Sequence, residues 1–216
     1  MKHMLIRVTA LVALTTSLSA QDRGADPLSR LDPSTRYSVE LLLDSARHLG
    51  LPYGPIESKA LEGISKRASG RDIVVAARRV FRALRDARAA LGPASSSDEL
   101  TAAAGALRVG ITTTQLSSLA ARRDGKALTV PLVVLADLVT RGVARDTASS
   151  TIFQLWQSGA ADDDFLGLWR SVERDIVSGT DPGVALLNRA RQIPAKGPLT
   201  AVPPTSGVRP PEDAKT

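Results

Sequence analysis

Three dipeptides, Gly50-Leu51, Gly110-Ile111 and Gly142-Val143, constrain this chain more than any other feature. Each sets a residue free to take the left-handed conformation just before an apolar residue that can fold back onto the turn it leaves, which is how an α-helix is closed with a packed exit. The starts are equally marked. Asp32-Pro33 and Asp181-Pro182 place a capping carboxylate ahead of a proline in the first helical position, where a missing N–H costs nothing. Ser96 with Glu99, and Thr112 with Gln115, have the spacing of reciprocal capping boxes. These signals predict helices over 33–49, 55–63, 71–91, 97–109, 112–123, 129–141, 146–158, 162–178 and 181–192. No run of alternating apolar and polar residues is bounded by hairpin turns, so the expected fold is all-α: about nine short helices in stacked hairpins, as a bundle or a short irregular superhelix, with no sheet. Glycine-closed segments recur every 32 to 37 residues, which hints at the superhelix without a clean repeat. "TVPLVVLADLV", residues 129–139, is apolar on nearly every face and too short to span a bilayer, so it is expected to be the central buried helix.

The ends carry different instructions. Residues 1–20 run from Lys2 and Arg7 through an apolar stretch to small residues ending at Ala20, the layout of a secretory signal peptide. Cleavage there would leave no cysteine at the new N-terminus for a lipid anchor, and the 22 arginines against 6 lysines suit a bacterial source, so a periplasmic or extracellular location is expected. Such compartments are oxidising, yet the chain has no cysteine, and burial of apolar surface must hold the fold unaided. Residues 21–31 read as a flexible lead-in and 32–193 as one helical domain. Residues 194–216, with six prolines and few apolar side chains, read as a disordered tail that cannot bury enough surface to offset its conformational entropy.

The chemical candidates are few. Asp162, Asp163 and Asp164 fall where a helix starts after Gly159, and unsatisfied N–H groups there favour carboxylates, so the triplet reads as a cap and not a calcium loop. Phe153, Trp156, Phe165 and Trp169 are four of the chain's seven aromatic residues, and helical spacing predicts that their two helices pack on each other as an aromatic hairpin. His48 is the only histidine beyond the signal peptide and sits on a last helical turn. Without a second imidazole or any thiolate the familiar catalytic and zinc sets are incomplete, so neither an enzyme nor a bound metal or cofactor is expected.

The most asymmetric element is "RDIVVAARRVFRALRDARAAL". Ile73, Ala77, Val80, Leu84, Ala87 and Leu91 form an apolar seam, while Arg71, Arg78, Arg82 and Arg85 fall opposite it within an arc of about 60°. Lys66 to Arg88 holds eight basic and two acidic residues; the rest of the chain beyond residue 20 has 18 basic and 20 acidic ones. The candidate binding surface is therefore Arg71, Arg78, Arg82 and Arg85, together with Trp156 and Trp169 as aromatic anchors and Tyr53 at the rigid Pro52-to-Pro55 bend. The leading expectation is an exported, non-enzymatic interaction or scaffold module for a protein partner. The alternative is a binder of anionic envelope surfaces, lipid headgroups or acidic polymers, through the arginine helix, and a carboxylate-dependent hydrolase stands behind both. Nucleic acid is not expected as a partner.

Overall fold

A computed structural model describes residues 27–123 and 125–194. The expected signal peptide and all of the expected tail after Pro194 lie outside them. The described residues contain a short 3-10 turn (Pro27–Arg30) and nine α-helices: α1 (Pro33–His48), α2 (Gly54–Ser65), α3 (Gly70–Leu91), α4 (Ser97–Arg108), α5 (Thr113–Ala120), α6 (Thr129–Thr140), α7 (Arg145–Gln157), α8 (Asp162–Val177) and α9 (Pro182–Ala190). No strand occurs among them, and the fold is all-α. Local chemistry explains the boundaries. The Asp32 carboxylate accepts from the Ser34 and Thr35 N–H groups to start α1, and both predicted capping boxes close, at Ser96/Glu99 and Thr112/Gln115. At Gly50, Gly110, Gly142, Gly159 and Gly179 φ is positive, and the next residue donates back to a carbonyl five positions earlier, as Leu51 does to Ala46.

Two boundaries differ from expectation by more than two residues. α5 ends at Ala120, because Arg122 and Arg123 donate three residues back, to Leu119 and Ala120, and tighten the chain out of the α-helix. The folded unit also begins before residue 32: Leu28 in the 3-10 turn is 3% exposed and packs beside α2, so the second half of the expected lead-in is structured. Leu28 and the partly buried Leu31 dock it on the core.

Substantial packing joins only helices adjacent or next-but-one in the chain. α1 lies on α2 and α3; α3 also meets α4 and α5; α4 lies on α6; α6 carries α7 and α8; and α9 closes on both of these. Substantial packing thus runs from neighbour to near neighbour along the chain, as in a stack of helical hairpins. The expected aromatic hairpin is corrected by the same pattern. α7 and α8 each pack on α6 and α9 in preference to one another, because α6 offers the widest apolar surface nearby. α6 is not buried all round either: Leu132, Leu135 and Leu138 are fully buried, but Val133 is 51% exposed on a side that no helix covers.

Candidate functional site

α3 presents the arginine row. Ser69 caps the helix by accepting from the Asp72 N–H, and Ile73, Ala77, Val80, Leu84, Ala87 and Leu91 are all buried, which fixes the rotation of the helix about its axis. Arg71, Arg78, Arg82 and Arg85 are therefore held outward, and all four are exposed. None makes an ion pair or a hydrogen bond with another described residue. Four arginines elsewhere are engaged in ion pairs of the fold: Arg141 pairs with Asp137 and Glu173, Arg189 with Asp175, Arg123 with Glu99 and Arg36 with Glu40. Even Arg88, at the end of α3, is spent as a pin between loops, donating to the Gly50 carbonyl at 3.0 Å and the Pro93 carbonyl at 2.6 Å. Arg79, the adjacent exposed arginine of α3, is like the row in making no ion pair with another described residue.

Val75, 38% exposed, completes the row, which then reads Arg71, Val75, Arg78, Arg82, Arg85 at alternating steps of four and three residues. At 1.5 Å rise per residue it runs about 21 Å along the helix. Lys66, just before α3, differs from the row because it is neutralised by Glu62, which also takes Lys59; the two ammonium groups hold the Glu62 carboxyl down at about 2.

The other expected surface residues are not brought to α3. Trp156 is 4% exposed and belongs to the core, so it offers no anchor. Trp169 is half-buried and occupied: its Nε1 donates to Asp137 at 2.5 Å, and the Arg141 guanidinium lies 5.6 Å from its ring. Asp137 in turn keeps the Arg141 guanidinium firmly protonated, raising its pKa above the ordinary value. Tyr53 is 44% exposed at the start of α2, with the Arg47 guanidinium of α1 stacked 4.5 Å from its ring. The aspartate triplet behaves as a helix start: Asp164 accepts from the Ala161 N–H at 2.8 Å while Asp162 and Asp163 stay exposed. Among the described residues no group of three or more histidine or acidic side chains is placed to hold a metal, and no helix is long and apolar enough to cross a membrane.

Two features escaped the sequence reading. A groove of about 590 Å³ runs between α4 and α6, with Ala102, Gly105 and Ala136 along it, Val133 at one wall and Arg108 at its edge. The run of small residues Ala102 to Ala106 was its only trace in the sequence. Glu99, recognised as half of a capping box, also accepts from the buried Leu128 N–H at 3.0 Å, a contact that ties the start of α6 to α4. No family model, curated protein or solved structure matches the chain at a significant level.

Proposed function

We propose that this protein is an exported, non-enzymatic interaction module whose working surface is the arginine row of α3 and whose partner is an anionic component of the cell envelope. The observation that carries the reading is that Arg71, Arg78, Arg82 and Arg85 lie exposed on one face with no acidic partner among the described residues. Side chains whose only role is to solubilise a helix gain from alternating sign, and arginines one turn apart repel one another. Four guanidinium groups held in line instead present a preorganised set of bidentate donors for carboxylate or phosphate oxygens. Export follows from residues 1–20 read as a signal peptide, and the absence of catalysis from the incomplete catalytic sets in the sequence.

The test compares the protein with a fourfold variant, R71Q/R78Q/R82Q/R85Q, for binding to immobilised anionic polymers and to anionic vesicles over a range of salt. Binding that weakens with salt and drops at least ten-fold in the variant supports the reading. Equal binding by both proteins overturns it.

A protein partner is a second reading, favoured by α1: Tyr37 is 67% exposed and Leu41, one turn on, 55% exposed. A Y37A/L41A variant that loses a partner captured by the wild-type protein, while the fourfold arginine variant retains it, would move the working surface to α1.

A further inference from the structure

Beyond their first turns the described helices contain three glycines, Gly63, Gly105 and Gly167. Each costs its helix about 1 kcal/mol relative to alanine. At Gly63 the space is taken by Ile73, 2.6 Å from where a Cβ would stand, but at Gly105 and Gly167 nothing lies within 4 Å of that point. Both open onto clefts. Gly105 lines the groove between α4 and α6, and Gly167 lines a second cleft of about 290 Å³ on α8, which also includes Pro194, the last described residue. The described fold fills neither space.

The two clefts are neighbours. Gly167 and Trp169 face opposite sides of α8, about 200° apart around its axis, and Trp169 donates to Asp137, which lines the groove. About one helix diameter, roughly 10–12 Å, therefore separates Pro194 from the groove's edge. The sequence continues from Pro194 to residue 216, and at about 3.1 Å per residue for a proline-rich chain, about four residues cover that distance. The residues that follow, 198–204, are "PLTAVPP", the most apolar run after Pro194. The lining of the groove sets what an occupant must bring. Ala102, Val109, Val133 and Ala136 are apolar, and the hydroxyls of Thr101 and Thr140 already donate to the Ser97 and Ala136 carbonyls of their own helices. A segment seated there should carry few backbone N–H groups in need of partners, and 198–204 has prolines at three of its seven positions. We infer that the groove between α4 and α6 is the docking site of this chain's own residues 198–204, which reach it by crossing α8 at Gly167. The segment lies over Gly105 and covers Val133, the 51% exposed apolar side chain of α6. This seat is separate from the arginine row of α3.

The chain has no cysteine, so a single pair can be introduced and followed. In the full chain, Thr101→Cys in the groove and Ala201→Cys in the segment should close an intramolecular disulfide under mild oxidation. Gly105→Gln should slow that closure by about ten-fold, because its long side chain fills the middle of the groove from a position where a Cβ meets nothing, whereas one methyl would take up little of the space. Val202→Asp, which alters the segment and leaves the helices untouched, should slow it as much. The control is Ser150→Cys, at an exposed position of α7, paired with Ala201→Cys; neither substitution should change its rate. Closure at Thr101→Cys that is indifferent to both Gly105→Gln and Val202→Asp would overturn the docking site, as would an equal slowing of the control pair. Covalent dimers in place of the intramolecular bond, forming faster at higher protein concentration, would give the groove to a second copy and overturn the intramolecular seat.

Discussion

Replacing Glu99 by alanine tests how α4 and α6 are joined. The side chain is 6% exposed, and its carboxylate accepts from three donors: the Ser96 N–H at 3.1 Å, the Leu128 N–H at 3.0 Å and the Arg123 guanidinium at 3.4 Å. Leu128 is fully buried, and no side chain of its own caps α6. In Glu99→Ala its N–H is left without an acceptor, at about 1–3 kcal/mol. Loss of the capping half of the box adds about 0.5–1 kcal/mol, so the variant should be destabilised by about 3 kcal/mol. Glu99→Gln keeps an oxygen for Leu128 but turns a donor toward the Ser96 N–H, and should cost about 1–2 kcal/mol. Asp98→Ala, an exposed change on the same turn, should stay within about 0.5 kcal/mol. Urea unfolding gives the three values, and amide exchange at Leu128 should accelerate in Glu99→Ala. The reasoning is refuted if Glu99→Ala costs under 1 kcal/mol, or if Glu99→Gln is as damaging.

Other perturbations follow from equally local geometry. Arg67 closes α2 with φ +53, a conformation in which a side chain is strained; Arg67→Gly should raise stability by about 0.5 kcal/mol, and a lower melting temperature would contradict this. Gly63 and Gly105 both lie inside helices, but a Cβ at Gly63 would come 2.6 Å from Ile73, whereas one at Gly105 would meet nothing. Gly63→Ala should therefore destabilise by about 1–3 kcal/mol and Gly105→Ala should stabilise by up to about 1 kcal/mol, as thermal melts would show. Acid should also act on identifiable pairs. The carboxyl of Glu62 is lowered to about 2 by Lys59 and Lys66, that of Asp175 is lowered by Arg189, and that of Asp32 by the Thr35 and Ser34 donors. Each folded-state value lies below its unfolded one, so the stability these groups add is complete only above about pH 5 and is lost progressively as pH falls to 2 and below. A K59Q/K66Q variant should show a shallower loss over that window, and an unchanged profile would remove Glu62 from the account.

The candidate surface was legible in part. The arginine row could be read because one helix with a continuous apolar seam allows only one outward face, and the seam from Ile73 to Leu91 is buried as its spacing requires. That the row has no acidic partner could not be read, because the Arg–Asp pairs that might have neutralised it depend on where other helices come to lie. The tryptophans show the same limit. Helical spacing put Trp156 and Trp169 on definite faces, but only packing decided that one is core and the other is held by Asp137 and Arg141.

By itself the sequence determined the helices and their ends. Caps such as Asp32 and Ser96 and exits such as Gly110-Ile111 are decided by free energies within about six residues, whatever the rest of the chain does. Tertiary structure alone decided that α4 lies on α6, that α7 and α8 lean on α6 and α9, and that Glu99 reaches Leu128 across 29 positions. Those outcomes depend on the angles of every intervening turn added together, and on which apolar face is nearest when a helix seeks cover. No local pattern encodes either.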